Sequence, residues 1–293
     1  MSVAQTSAYI YGAGTGGQNA LRYYQDQFHI LGFIDSATEK HGTTLAGLTI
    51  FPPQHVLDNP ESKILIASEY AEQIQYFLLN KLKVSATRLE QVPTEYLKAS
   101  LLSNPEQMAI ANSLLLSISQ FFKQLDIHFH LEAGTLLGLY RDQQLIPWDN
   151  DLDFAIASDS VSTILQHLEA LLKTIKIATS IDYDCNILKA DYAFGPIKPG
   201  MLRSLQLKPR ESHAPAVDLF IKYREKQYLY WTLASRGMTA PEQALSELTE
   251  ISFQNIALPV PADTSGYLTN MYGDWQTPQQ NWTIAECKNT TIY

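Results

Sequence analysis

The sequence predicts an α/β chain in two domains, an N-terminal one over residues 1–98 and a larger one over 99–293. Three observations predict it. The 293 residues exceed a typical single domain, so two hydrophobic cores is the prior expectation. Near the start, the glycine-rich turn Gly12-Ala13-Gly14-Thr15-Gly16-Gly17 links a short apolar run to an amphipathic stretch, and a second apolar run follows. In the middle, Asp149, Asp151 and Asp153 alternate with other residues and lead into Phe154 and Ile156, which is strand periodicity with acids on one face.

Composition narrows the class. Hydrophobic content of 45% with 17% charged residues fits an ordinary globular protein. Lys and Arg number 21 against 30 Asp and Glu, a net charge of −9. That argues against general nucleic-acid binding, which needs a basic footprint. Cys185 and Cys287 stand alone, without the spacing of a zinc site or a disulfide framework. Residues 1–7 show no signal-peptide pattern, and no apolar run approaches the ~20 residues that cross a bilayer. A cytoplasmic chain is the expectation.

In the first domain, Ala8 to Tyr11 reads as a strand, the glycines as a turn, and the stretch to about Asp26 as a helix. Ile30 to Ile34 is a second strand ending on Asp35. This order opens a Rossmann βαβ unit. Gly12, Gly14 and Gly17 would permit the tight turn and let backbone N–H groups reach a phosphate at the helix start. Asp35 stands where an acid often accepts ribose hydroxyls. The alternative is that the glycines serve only chain reversal and packing. Leu48 to Phe51 and Lys63 to Ala67 read as strands, Pro52 to Leu57 as a short helix and Ala71 to Leu82 as a longer one.

The second domain begins with a helical run from Pro105 to about Leu125, with Ile118, Phe121, Phe122 and Leu125 on one face. Ile127 to Leu131 is the next strand. Asp151 and Asp153 then share a strand face, and two close carboxylates among apolar neighbours call for a cation. A divalent ion with hard oxygen ligands, Mg²⁺ or Mn²⁺, suits them. Asp218 lies inside the apolar strand Ala216 to Ile221, where an acid is out of place and a structural salt bridge is one reading. Arg141 offers a fork for a phosphate or for a carboxylate of Asp142 or Asp149. Lys198, Arg203, Lys208 and Arg210 form a basic segment with no acid before Glu211. Charged residues flanking a strand are usually just solvated, and the other reading is that one of the four touches a pyrophosphate. Further on, Lys226 to Leu233 reads as a strand and Pro241 to Thr249 as a helix. Asp274 follows a glycine turn and would cap, order a loop or bind a sugar. Trp275 beside it offers a flat face.

Four ordered pieces carry a resemblance. They are Gly134-Thr135-Leu136-Leu137-Gly138; Arg141; Pro147-Trp148-Asp149-Asn150-Asp151-Leu152-Asp153; and Tyr267-Leu268 with Tyr272-Gly273-Asp274-Trp275 and Pro278. Together they resemble the LicD family of fukutin-related phosphotransferases, a branch of the nucleotidyltransferase fold. Asn150 departs from the pattern, which usually has another Asp there. The resemblance implies an α+β nucleotidyltransferase-like domain in which Asp151, Asp153 and Asp218 hold the metal. It also implies that Gly134 and Thr135 meet the donor's phosphates. The stretch from Gly12 to Ser68 is similar to the nucleotide-binding domain of sugar-modifying enzymes in surface-polysaccharide pathways. Its pieces are Gly12-Ala13-Gly14, Gly32-Phe33-Ile34-Asp35 and Leu45-Ala46-Gly47, and they imply a nucleotide, a nucleotide-sugar or NAD as ligand.

The function these resemblances imply is metal-dependent transfer of a phospho-alcohol, phosphocholine or a polyol phosphate, from a CDP-linked donor to a hydroxyl of a glycan or glycolipid. Arg203, Lys208 and Asp274 join Gly134, Thr135 and Arg141 as expected substrate contacts. A homo-oligomer is compatible with this reading. The competing functions are a cytidylyltransferase that makes the CDP-alcohol from CTP, and a non-catalytic nucleotide-binding scaffold. An NAD-dependent oxidoreductase is disfavoured, because no Tyr-x-x-x-Lys pair follows the glycine turn at a workable distance.

Overall fold

The computed structural model describes residues 5–68, 70–97, 101–210, 214–234, 236–280, 282 and 284–292. The chain divides into two compact units, residues 1–99 with 280–284, and residues 100–279 with 285–293. The boundary expected at residue 98, like Glu211, lies outside the described residues.

The first unit runs β1 (Ser7–Tyr11), α1 (Thr15–Tyr24), β2 (His29–Ile34), β3 (Thr44–Leu45), β4 (Leu48–Phe51), β5 (Lys63–Ile66), α2 (Ala71–Asn80), β6 (Leu89–Gln91) and α3 (Thr94–Leu97). Its sheet has the order β3-β4-β2-β1-β5-β6. All neighbours are parallel except β3, which is antiparallel to β4. A parallel sheet is covered on both faces, so its central strands are continuously apolar. Ala8, Ile10, Phe33 and Leu65 pack with Ala20 and Tyr24 of α1. Tyr9, Tyr11, Ile34, Ile64 and Ile66 pack with Leu78 of α2. Strand β1 lies between β2 and β5, so the strand order reverses there, and doubly wound sheets bind their ligands outside the carboxyl ends of the strands at such a point. The Gly12 turn and Asp35 sit at that end. This is the Rossmann-like arrangement the glycines predicted. The segment Pro53–Leu57 is 3-10 rather than α-helical.

The second unit runs α4 (Pro105–Gln124), β7 (Phe129–Leu131), α5 (Ala133–Arg141), β8 (Asp151–Ala157), α6 (Val161–Gln166), α7 (Leu168–Thr179), β9 (Tyr183–Lys189), β10 (Leu202–Pro209), β11 (Ala216–Glu225), β12 (Tyr228–Leu233), β13 (Arg236–Pro241), α8 (Gln243–Ser246), β14 (Leu248–Phe253), β15 (Ile256–Pro261), α9 (Thr264–Tyr272) and β16 (Thr290–Ile292). Its main sheet is built round β11. The first half of β11 pairs with β8 in parallel and with β10 antiparallel, and its last residues pair with β12. Strand β7 extends the sheet beyond β8, β9 beyond β10, and β13 and β16 beyond β12.

Helix α4 starts where Asn104 accepts the Glu106 N–H at 2.8 Å with Pro105 in the first turn. Phe122 of α4 meets Phe129 and Phe154 edge-on, with ring centroids 5.2 and 5.9 Å apart. Phe154 points away from the face of its neighbour Asp153, so α4 fills the sheet face opposite the acids. The helix expected over 241–249 shrinks to the single turn of α8, because residues 248–253 instead form a strand. That strand pairs with β15 through a two-residue turn, Gln254 and Asn255, both with positive φ of 47° and 63°.

Candidate metal centre

Strands β8 and β11 run parallel with Asp153 directly opposite Asp218. Alternation sends Leu152 and Phe154 into the core and Asp151 and Asp153 to the other face, beside Asp218. The three carboxylates each offer an oxygen, and these lie within 4.8 Å of one another. Asp153 is 7% exposed and the other two are half-buried. Charges of one sign this close in a partly dry site repel, and a divalent cation between them removes the repulsion. The donor set is all hard oxygen and fits Mg²⁺ or Mn²⁺.

The surroundings fix these acids. Gln206 lies opposite Asp218 on β10, and its Nε2 donates to both carboxylate oxygens, at 3.0 and 3.2 Å. Thr135 accepts the Asp153 backbone N–H on its hydroxyl at 2.8 Å. A Cβ on Gly134 would meet the Asp149 carboxylate, with the Asp153 Oδ2 3.7 Å away. The Gly134–Thr135 turn therefore lies against the acids, at the start of α5.

Other expected contacts fall differently. Arg141 uses its fork on Asp142, at 2.9 and 2.7 Å, and donates to the Trp275 carbonyl at 3.2 Å. It pins the loop after α9. Arg210 pairs with Asp184 on the surface. Lys208 is exposed on the parity of Gln206, while Arg203 sits where the β9–β10 register shifts. Asp274 is exposed and accepts the Thr277 hydroxyl at 3.1 Å. The Trp275 indole donates to Thr269, and its ring lies 5.6 Å from that of Tyr140.

Sequence reasoning missed a polar cluster beneath the acids. Glu132 and Lys222 are each 1% exposed, and Lys222 Nζ lies 3.2 Å from Glu132 Oε1. The same ammonium sits 3.2 Å from the centre of the Trp231 ring. The Tyr267 hydroxyl is 2.9 and 2.8 Å from the two oxygens of Glu132. Burial pushes Lys222 down to about 8, against the pull of Glu132 and, further off, Asp153. His130 is driven to about 4 by burial, so its ring is neutral, with Nδ1 on the Leu131 carbonyl. A signal existed: Lys222 interrupts an apolar strand on the same parity as Asp218.

In the first unit the glycines divide by role. Gly12 has φ +119°, and a Cβ on it would strike the Ala67 carbonyl. A Cβ on Gly17 would strike the Gly12 carbonyl, so helix α1 can pack only on glycine there. Gly14, at the N-cap of α1, faces open space. Asp35 is engaged by the protein itself. Its carboxylate accepts the Ala13 N–H at 2.8 Å and the Ala37 N–H at 2.9 Å, and meets Lys40 Nζ at 2.9 Å. Burial alone would raise its pKa, but Ala37, Lys40 and Ala13 outweigh it and hold the carboxyl below its usual value.

The second unit thus defines a class: a mixed-sheet domain with three converging aspartates and a glycine turn against them. Residues 126–263 match the family described as LicD/FKTN/FKRP, nucleotidyltransferase domain. The second unit is thus similar to the nucleotidyltransferase domain of that family over residues 126–263. Relatives include "Ribitol-5-phosphate transferase FKTN" of Mus musculus, 25% identical over 177 residues, covering 59% of this chain and 34% of that protein. Another is "Uncharacterized protein RP689" of Rickettsia prowazekii (strain Madrid E), 27% identical over 158 residues, 51% of this chain and 49% of that one. The chain spans between a third and a half of the length of these relatives. Among solved structures, UDP-D-quinovosamine 4-dehydrogenase from Vibrio fischeri is 28% identical over 31% of this chain and 80% of that one, with a TM-score of 0.26. The Rossmann-like assignment rests on strand order and the glycine turn.

Proposed function

We propose that the chain transfers a phospho-alcohol, phosphocholine or a polyol phosphate, from a CDP-linked donor to a hydroxyl of a glycan or glycolipid. The observation that carries this is the convergence of Asp151, Asp153 and Asp218 within a segment that matches the LicD/FKTN/FKRP domain. The fukutin relatives are named as ribitol-5-phosphate transferases, which supports a polyol phosphate among the candidates. Asp151, Asp153 and Asp218 would hold Mg²⁺ or Mn²⁺, which supplies charge neutralisation at the donor pyrophosphate. Gln206 keeps the Asp218 carboxylate turned toward its partners. The Gly134–Thr135 turn brings backbone N–H groups to the edge of the acid cluster, where donor phosphates would lie. Lys208 stands on the parity of Gln206 and would draw the anionic donor. In the reaction the acceptor oxygen bonds to the phosphorus that carries the alcohol. The bridging P–O bond breaks, CMP leaves, and the acceptor's proton passes to water.

The first unit, in this reading, binds a nucleotide or nucleotide-sugar over the open Gly14 face. The engaged state of Asp35 weighs against NAD, whose ribose would need that carboxylate. The free thiols Cys185 and Cys287 accord with a cytoplasmic setting, and no helix among the described residues is long and apolar enough to cross a membrane.

The test is a release screen: CDP-alcohols with a glycan acceptor and Mg²⁺ or Mn²⁺. CMP release supports the transferase. Pyrophosphate release from CTP and a phospho-alcohol would replace it with the cytidylyltransferase, and neither product would leave the scaffold reading.

A further inference from the structure

We propose that Glu132 is a positioning residue for the metal centre: its buried carboxylate, gripped by Lys222 and Tyr267, holds the start of α5 against the strand that carries Asp153. The inference rests on the metal-centre reading above.

The connections of Glu132 are unusual for its place. It is the N-cap of α5, yet its side chain makes no cap hydrogen bond to that helix. The carboxylate turns inward and reaches two other elements, α9 through the Tyr267 hydroxyl and β11 through Lys222. The backbone of the same residue reaches a third, donating to the Asp153 carbonyl at 3.0 Å. Three residues on, the Thr135 hydroxyl takes the Asp153 N–H. The peptide groups on both sides of Asp153 are therefore fastened to the first turn of α5, and that turn is fastened by Glu132.

The energetics favour a geometric role over a stabilising one. Removing a carboxylate and an ammonium from water costs several kcal/mol each, and an apolar pair of similar volume often serves a fold as well or better. The ion pair does supply a rigid, directional anchor. The anchor also lies at the C-terminal motif: Tyr267 is the residue of α9 that touches Glu132, which gives that distant motif a task in shaping the site.

The experiment uses the full chain and needs no substrate. Mn²⁺ affinity by calorimetry and melting temperature without metal are measured for wild type, Glu132→Gln, Glu132→Gln with Lys222→Met, and Tyr267→Phe. The double variant removes both buried charges, and its melting temperature should return to or exceed that of wild type. A positioning role predicts that its Mn²⁺ affinity nevertheless stays about tenfold or more below wild type, the usual cost of losing an orienting contact behind a ligand. Tyr267→Phe, which deletes one hydroxyl, should show a smaller loss in the same direction. It decides the matter should the double variant not fold. Wild-type affinity in the variant that decides overturns the proposal. Failure of wild type to bind Mn²⁺ overturns the metal centre itself. Absence of CMP release with normal Mn²⁺ binding would count against the proposed reaction alone.

Discussion

The two units place acids at strand ends in opposite ways. In the first, Asp35 at the end of β2 is surrounded by donors: two backbone N–H groups and an ammonium within 2.9 Å. In the second, Asp151, Asp153 and Asp218 crowd against one another within 4.8 Å. A carboxylate encircled by the protein's own donors is stabilised as it stands and organises a loop. Carboxylates stacked on each other store repulsion that a cation relieves. An acid beside an apolar strand is thus not evidence of a site until its neighbours are known.

The largest expected effect breaks the crowded side of this contrast. Asp151→Asn or Asp153→Asn should lower turnover by about 10²–10³-fold or more, since the donor pyrophosphate loses its charge stabilisation. The metal-free melting temperature should hold or rise, because a repulsion has been removed. Near-normal activity in either variant would sink the metal assignment.

Asp218 sharpens it further. If Asp218 is a ligand, Asp218→Asn weakens Mn²⁺ binding and raises the Mg²⁺ concentration needed for activity. If it serves only as a base, metal affinity is unchanged and the chemical step slows by about 10²–10⁴-fold. Its position opposite Asp153, on the strand next door, favours the ligand role. Gln206→Leu should show a weaker version of the same loss, because the carboxylate it orients is left to rotate. Calorimetric titration distinguishes all of these.

How much of this was readable in advance follows the range of the interactions. Strand periodicity set Asp151 and Asp153 on one face, and the apolar run round Asp218 marked it as out of place. Both are local patterns, and the register that joins them agrees with the four-piece resemblance. Glu132 and Tyr267 are 135 positions apart, and no local pattern links them. The fork of Arg141 was equally suited to a phosphate or to Asp142, and only the fold shows it on Asp142. Residues 241–249 suit a helix by composition, while the pairing of β14 with β15 is decided by a turn whose two residues both adopt positive φ.

On the other side of the comparison, the glycines of the first unit should separate cleanly. Gly17→Ala puts a methyl into the Gly12 carbonyl and should destabilise the unit outright. Gly14→Val points into open space, so the chain should fold as before while nucleotide or nucleotide-sugar binding at the turn is lost. Calorimetry with UDP-sugars, CDP-alcohols and NAD checks this. A Gly14→Val protein that binds like wild type would leave the turn a packing device only.

The smallest effect concerns Asp35 itself. Its carboxyl lies below the unperturbed 3.8, with burial opposing the shift and the Ala37 N–H, Lys40 and the Ala13 N–H producing it. A depressed carboxyl pKa means the unfolded chain binds the proton more readily than the folded one. The stabilisation is therefore complete above the unfolded value and is lost as pH falls through the lower, folded one. Lys40 is 39% exposed, so solvent screens its part of the effect, and Lys40→Met should move the titration midpoint upward only slightly. The two backbone donors remain in that variant and continue to favour the ionised form. Following the Asp35 carboxyl carbon by NMR from pH 6 downward tests the argument directly. A midpoint at or above 3.8 in wild type would mean that burial wins over the donors, and that this acid is less settled by the protein than the contrast with the aspartate cluster requires.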